Sequence, residues 1–335
     1  MKKLQSTMKP GWRLGASCGL VVFVLIAVLI VTAQQKSSGN SPQVQNQSTK
    51  SSTDANQIIV NTDLVTLNVS VTDSQGFAVT GLQKKHFALT DNKHPQEIMF
   101  FSDADLPLSV GIVFDVSGSM KGEKFERAKE ALSEFIQTGH PEDEYFLIGF
   151  NSQPQLLLDG SRDSDAITRR LSFLKPQSST ALYDAAYLAR ERVLSGVHVK
   201  RAIVIISDGQ DNNSRYSFSQ LRRAFKESDV VIYAIGIQGP TPGDALDFFG
   251  KMLLSELAGS SGGRALFPAD STALTEALEG IALELRHQYS IGYRPSNFTL
   301  DGKWHRIKVK VTTPNKLKRV YVRHREGYYA SAPTR

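Results

Sequence analysis

The stretch that decides the fold is Ser109-Val110-Gly111-Ile112-Val113-Phe114, followed directly by Asp115-Val116-Ser117-Gly118-Ser119. Its first part is a continuous apolar run without polar alternation. Such runs are typical of strands buried on both faces, as in a parallel sheet. Three further runs of this kind cover residues 145–150, 202–206 and 230–237. The sequence therefore predicts a central sheet of buried parallel strands.

Helical patterns lie between these apolar runs. From Phe125 to Ile136, apolar residues recur every three or four positions, which indicates an amphipathic helix. The same spacing recurs over residues 181–194, 218–225, 246–258 and 274–285. Alternating strands and helices predict an α/β domain with a doubly wound, mostly parallel sheet, which we place at residues 105–286.

The segments on either side of this domain have a different period. Residues 64–72 and 305–311 alternate between apolar and polar side chains, as expected of strands with one buried face. Neither flank contains enough strands to be stable alone. We therefore predict that residues 58–104 and 287–330 together complete one small β-sandwich domain, into which the α/β domain is inserted.

The N-terminus has the features of an export signal. Four basic residues precede an uncharged, largely apolar run over residues 14–33. This arrangement matches a secretory signal, and the run is also long enough to span a bilayer. Residues 1–33 are thus expected to be either a cleaved signal peptide or a retained membrane anchor, with the rest of the chain outside the membrane. Residues 34–57 are rich in Ser, Gln, Asn and Thr, which predicts a disordered linker.

Cysteine content and charge limit the chemistry of the exported part. Cys18 is the only cysteine, so residues 34–335 contain no disulfide, thiolate zinc site or cysteine nucleophile. Residues 286–335 hold twelve Lys and Arg and only two acidic residues. We interpret Lys308 and Lys310 as solvent-facing strand residues that discourage edge pairing, with an acidic polymer or anionic headgroup as the alternative ligand of this tail. No nucleic-acid partner is predicted.

A candidate metal site follows the deciding strand. In doubly wound sheets, ligands bind at the carboxyl ends of the strands. Asp115, Ser117 and Ser119 lie at alternate positions, which puts three oxygen groups on one side of an extended loop. Asp208 ends a second apolar run, and Thr180 stands just before a predicted helix, which either Ser179 or Thr180 is expected to cap. Oxygen-only ligands favour Mg²⁺, with Ca²⁺ or Mn²⁺ as alternatives.

These three segments, in this order, resemble the metal-ion-dependent adhesion site of the von Willebrand factor type A family. The resemblance covers about residues 106–286, and the flanks look like those of bacterial secreted relatives. It implies that Ser117 and Ser119 bind the metal directly and that Thr180 binds directly or through water. Asp115 and Asp208 would mostly hold metal-bound waters. An open coordination position would then receive an Asp or Glu carboxylate from a partner protein.

The expected function is a metal-dependent protein-binding or adhesion module outside the cytoplasmic membrane, not an enzyme. A strand-end Asp can accept a phosphoryl group in haloacid dehalogenase-like enzymes, but these require a second Asp where Ser117 stands. The chain also lacks a Gly-Lys-Ser/Thr phosphate loop and a Gly-x-Gly-x-x-Gly loop. The alternatives are a structural envelope protein with a non-essential metal site and a metal-dependent hydrolase. The resemblance also leaves open whether the final helix slides as a switch or is rigid.

Overall fold

The structure, a computed structural model, describes residues 64–176, 179–237, 245–296, 301–314 and 319–330. The predicted signal or anchor and the linker lie outside these ranges. Within them, no helix is long and apolar enough to cross a bilayer. The strands are β1 (Val65–Thr72), β2 (Phe87–Asp91), β3 (His94–Gln96), β4 (Ile98–Ser102), β5 (Leu108–Asp115), β6 (Glu144–Phe150), β7 (Pro154–Ser161), β8 (Lys200–Ser207), β9 (Val231–Gly236), β10 (Ala265–Leu266), β11 (Tyr289–Tyr293), β12 (Trp304–Val311), β13 (Tyr321–Arg323) and β14 (Gly327–Tyr329). The α-helices are α1 (Glu123–Gln137), α2 (Ser164–Ser172), α3 (Leu182–Leu194), α4 (Phe218–Lys226), α5 (Ala245–Ser261) and α6 (Ser271–Arg286).

A six-stranded sheet in the order β10-β9-β8-β5-β6-β7 forms the centre of the α/β domain. All neighbouring strands are parallel except β6 and β7. The four long apolar runs are β5, β6, β8 and β9, and all eight residues of β5 are buried. The prediction of a doubly wound, mostly parallel α/β fold is confirmed.

Helices cover both faces of this sheet because alternate strand residues point to opposite sides. Ile112 and Phe114 pack in one apolar cluster with α1, α2 and α6, whereas Val113 packs in a second cluster with α3, α4 and α5. The buried residues of α1 recur at the spacing that the sequence predicts. Two layers of helices thus leave the carboxyl ends of the strands as the open edge of the domain.

The sequence patterns did not predict β7 and α2. β7 begins with a proline, is antiparallel to β6 and is only partly buried, as is typical of an edge strand. In α2 the only buried side chains are Ile167 and Leu171, so the helix has a weak apolar stripe. Its start is fixed by Asp163, whose side chain accepts a hydrogen bond of 3.0 Å from the amide of Ala166.

The flanking segments form two four-stranded sheets, and each sheet combines strands from both sides of the α/β domain. One has the order β13-β1-β11-β4 and the other β14-β12-β2-β3. In the first, Val65 to Val69 pair with Tyr293 to Tyr289. In the second, Ile307 to Val311 pair with Asp91 to Phe87. Side chains from both sheets share one apolar core, and Lys308 and Lys310 are exposed.

An ion-pair cluster around a buried carboxylate joins the final helix to strand β13 and to the segment before β10. Glu284 of α6 lies 3.0 Å from the Arg264 guanidinium and 2.8 Å from that of Arg323 in β13. The hydroxyl of Tyr233 donates to the same carboxylate at 2.9 Å. Glu284 is only 2% exposed. Because a buried carboxylate depends on such partners, this cluster fixes α6 relative to two other segments.

Candidate metal centre

The carboxyl ends of β5, β6 and β8 bring three loops to the same edge of the sheet. Asp115 is the register partner of Phe150, the last residue of β6, and Phe114 is that of Ile206 in β8. The amide of Val116 then donates to the Phe150 carbonyl oxygen at 2.8 Å. The loops after β5 and β8, which carry all the predicted ligands except Thr180, therefore start close together.

The first loop folds back over Asp115. The Asp115 carboxylate is fully buried and accepts a 2.8 Å hydrogen bond from the amide of Ser117 through Oδ1. A one-turn 3-10 helix, Gly118–Met120, follows, and its Met120 side chain is buried in the core. This turn brings the hydroxyl oxygens of Ser117 and Ser119 to 2.9 Å from each other. Two hydroxyls and one carboxylate thus share one small volume.

Asp208 brings a second carboxylate to this edge. Its Oδ1 accepts a 3.1 Å hydrogen bond from the amide of Gln210. Its Oδ2 is buried and has no hydrogen-bond partner among the described protein atoms. Ser207 links the two acidic loops, because its hydroxyl donates to Asp115 Oδ2 at 2.6 Å and accepts from the amide of Gly209 at 3.1 Å. A buried carboxylate oxygen without a partner is costly, and a bound cation would satisfy it.

The electrostatics of the site favour a cation. Burial, the largest effect, raises the pKa of Asp115 to about 6, and the charge of Asp208 adds to this rise. Hydrogen bonds from Ser117 and Ser207 partly oppose it. Burial lowers the pKa of Lys124 in α1, while the charges of Asp208 and Asp115 act to raise it. Negative charge is thus concentrated at the edge where the hydroxyls lie.

Thr180 is held at the same edge by its backbone. It is buried, its amide donates to Asn212 Oδ1 at 3.0 Å, and its carbonyl oxygen accepts from the amides of Asn212 and Asn213, each at 3.0 Å. The next residue, Ala181, donates to the carbonyl oxygen of Asn151, just beyond β6. The structure therefore places Thr180 between the loops that follow β6 and β8.

The expectation that Ser179 or Thr180 caps the next helix is wrong. Helix α3 has Ala181 at its N-cap, without a side-chain cap. Instead, Asp211 Oδ2 accepts the amide of Tyr183 at 3.1 Å. Asp211 belongs to the loop after β8. This loop is distant from α3 in sequence, and the fold brings the two together. The Thr180 hydroxyl is consequently not used as a cap.

The polar residues around Asp211 have a structural role that the sequence did not reveal. Asp184, in the first turn of α3, is buried and accepts the amides of Arg215 and Tyr216 at 2.9 and 3.1 Å. The Ser214 hydroxyl donates to Asp211 Oδ2 at 2.6 Å. These contacts fix the loop after β8 on the N-terminus of α3. They therefore set the position of Thr180 relative to Asp208.

A close backbone contact fixes the other side of the Asp208 loop. Gly209 has a φ of +80°, and a Cβ there would lie 2.5 Å from the Gly250 carbonyl oxygen in α5. A Cβ on Gly250 would overlap the carbonyl oxygen of Asp208. Only glycine at both positions allows this approach, so α5 packs directly against the backbone that carries Asp208.

The residues at this edge fit a hard divalent cation. All five predicted donors carry oxygen. The Ser117 and Ser119 hydroxyls contact each other, and Ser207 ties the Asp115 carboxylate to the loop that carries Asp208. Within the described ranges, no group of three or more His, Cys, Asp or Glu side chains forms a metal-binding cluster. A site here therefore depends on the serine and threonine hydroxyls.

Comparison with known proteins identifies the domain. Residues 110–210 match the von Willebrand factor type A domain, from β5 to the loop after β8. The matched residues lie within the α/β domain.

Curated relatives are distant and much longer than the matched part. The chain is 26% identical over 114 residues to the uncharacterized protein sll0103 of Synechocystis, a match over 33% of this chain and 27% of that protein. It is 24% identical over 167 residues to inter-alpha-trypsin inhibitor heavy chain H2 of Homo sapiens, over 45% of this chain and 17% of that protein. Among solved structures, a von Willebrand factor type A protein from Catenulispora acidiphila matches with a TM-score of 0.48 and 13% identity, over 78% of this chain and 74% of the other.

Proposed function

We propose that this protein is a metal-dependent protein-binding module. Asp115, Ser117, Ser119, Thr180 and Asp208 hold a divalent cation, Mg²⁺ in our proposal, and the cation binds a carboxylate of a partner protein. The role is one of binding and adhesion, not of catalysis. The von Willebrand factor type A domain over residues 110–210 supports the proposal.

The observation that carries this proposal is the unpartnered Oδ2 of Asp208. It is buried at the same edge as the paired hydroxyls of Ser117 and Ser119, and the described protein atoms offer it no donor. A donor side chain at this position would have satisfied the carboxylate permanently. The sequence instead keeps a carboxylate and two hydroxyls close together, which is the ligand chemistry of Mg²⁺.

The chemistry of the site explains why a partner carboxylate would bind. When bound, the cation supplies an electrophilic centre whose charge is only partly neutralised, because hydroxyls are neutral ligands. The chain's own contribution is orientation. Ser207 and the amide of Ser117 hold the Asp115 carboxylate in one position, and the loop after β8 holds Thr180. Preorganised ligands reduce the cost of binding.

We further propose that the module works outside the cytoplasmic membrane. The support is the basic start and apolar run over residues 14–33, followed by the polar stretch 34–57. Either a cleaved signal or a retained anchor would export the domain. The cysteine-free exported part is compatible with an oxidising compartment.

The test is capture of a partner from an envelope extract on the immobilised protein in Mg²⁺ and in EDTA. We expect one or more proteins to be retained in Mg²⁺ and released by EDTA. Ser119→Ala and Asp115→Ala should lose them, while Ser133→Ala, on the distant part of α1, should retain them. Retention that is insensitive to EDTA and equal in all variants would contradict the proposal.

A further inference from the structure

An exposed apolar patch lies on the first turns of α5. Four large apolar side chains there are between 49% and 65% exposed: Leu246, Phe248, Phe249 and Met252. A surface helix normally directs polar residues to solvent, and clustered exposed apolar groups mark interaction sites. We call these four residues the α5 patch.

The α5 patch is not needed for the core of the domain. The opposite face of α5 already packs Leu254, Leu257 and Ala258 into the core with the central sheet. The rings of Phe248 and Phe249 contact each other edge on, with centroids 6.2 Å apart. Two phenylalanines that lie more than half exposed contribute little to folding, which points to a role in binding.

The α5 patch borders the candidate metal centre. α5 follows β9, so its N-terminus lies at the carboxyl edge of the sheet. Gly250 contacts the backbone of Asp208 and Gly209. Leu246 lies one turn before Gly250 on the same face of α5, Phe249 lies beside that face, and Phe248 lies on the opposite face. A segment bound through the cation would therefore reach the patch within a few residues.

We infer that the α5 patch selects the partner, which is a protein segment with apolar side chains within a few residues of its metal-binding Asp or Glu. This inference rests on the proposed function and refines it. The cation alone would accept any accessible carboxylate, whereas desolvation of two phenylalanine rings adds affinity for apolar neighbours. The partner is a protein segment because the cation of the proposed function binds a protein carboxylate; binding to an anionic membrane is an outcome that the test distinguishes.

The test uses three synthetic nonapeptides and the whole protein. One has a central Asp in a Gly/Ser background, the second has Leu and Phe flanking that Asp, and the third has Asn in place of Asp in the apolar version. Binding is measured by fluorescence anisotropy in Mg²⁺ and in EDTA. The patch variant is Phe248→Ser/Phe249→Ser. The matched control is Val197→Ser/Val199→Ser, which changes two equally exposed apolar residues before β8, at the opposite edge of the sheet.

We expect wild type to bind the apolar Asp peptide at least about tenfold more tightly than the Gly/Ser one, and only in Mg²⁺. The patch variant should lose this preference while it keeps Mg²⁺ affinity, folding and binding of the Gly/Ser Asp peptide. The control should match wild type.

Three results would overturn the inference. The first is Mg²⁺- and Asp-dependent peptide binding in which the apolar Asp peptide has no advantage over the Gly/Ser one, or keeps its advantage in the patch variant. Either outcome leaves the proposed function intact. The second is self-association, or binding to phosphatidylglycerol vesicles, that only the patch variant loses. The third is normal Mg²⁺ binding with no Asp-dependent peptide binding, which would count against the proposed function and remove the basis of this inference.

Discussion

Gly250→Ala probes the contact between α5 and the Asp208 loop. The added Cβ would overlap the carbonyl oxygen of Asp208 and lie 3.3 Å from the carbonyl carbon of Gly209. Because both neighbours are backbone, α5 or the loop must move. Overpacking of this kind costs about 1–3 kcal/mol, whereas alanine in a helix gains about 0.5–1 kcal/mol over glycine. We expect a net loss of about 1–2 kcal/mol in the free energy of unfolding.

Gly259→Ala is the matched control in the same helix. A Cβ on Gly259 has no atom within 4 Å, so only the helical preference acts. This variant should be more stable than wild type by about 0.5–1 kcal/mol. Urea unfolding in EDTA measures both variants without any contribution from bound metal.

The same substitution should weaken the metal site. If the loop shifts, the Asp208 carboxylate moves with it, because no described hydrogen bond holds its Oδ2. We expect the Mg²⁺ affinity of Gly250→Ala to fall at least about tenfold, as for the loss of supporting contacts around other metal sites. Gly259→Ala should keep wild-type affinity. If Gly250→Ala is as stable as Gly259→Ala and binds Mg²⁺ equally well, the proposed role of this contact is refuted.

Four further predictions concern the final helix, the buried carboxylate and the helix cap. Glu284→Ala removes the carboxylate shared by two partly buried arginines and should lower the free energy of unfolding by about 1–3 kcal/mol; urea unfolding indistinguishable from wild type would contradict this. Because Glu284 ties α6 to two segments, amide hydrogen exchange over residues 271–286 should be the same with and without Mg²⁺. Faster exchange in Mg²⁺ would instead favour a sliding helix. The pKa of Asp115 in the folded protein, about 6, exceeds the ordinary aspartate value of 3.8. This group therefore stabilises folding below pH 4, and the gain is lost as pH rises through 6. Asp115→Asn should accordingly stabilise the metal-free protein at pH 8 by up to about 3 kcal/mol and abolish Mg²⁺ binding. Asp211→Ala removes the acceptor at the start of α3 and should cost about 0.5–2 kcal/mol in thermal unfolding, with Asp165→Ala on α2 as a nearly neutral control.

The sequence was informative where structure depends on neighbouring residues. The apolar runs of β5, β6, β8 and β9 predicted the sheet because a strand buried on both faces has no polar alternation. The segment Asp115–Ser119 could be interpreted because its three oxygen groups are close in sequence. β7 and α2 were missed because their side chains are only half buried.

Sequence patterns could not predict contacts between residues that are far apart in the chain. Asp211 caps a helix that begins 29 residues before it, and Gly250 contacts a loop 41 residues earlier. Nothing in the spacing around Asp184 distinguishes a helix N-terminal charge from a buried acceptor of two loop amides. The one available sequence signal for such a contact was Gly250, in the middle of a predicted helix. Glycine destabilises a helix, so its presence there indicates close packing against another segment.

Calorimetric titration of Mg²⁺ into the metal-free protein tests the central claim most directly. Wild type should bind one ion, and Ser117→Ala/Ser119→Ala should lose that binding while circular dichroism shows an intact fold. Ser217→Ala/Ser219→Ala, which removes a similar hydroxyl pair at 3.0 Å on the start of α4, is the control and should bind Mg²⁺ as wild type does. Equal Mg²⁺ affinity in wild type and Ser117→Ala/Ser119→Ala would contradict the metal site proposed at this edge.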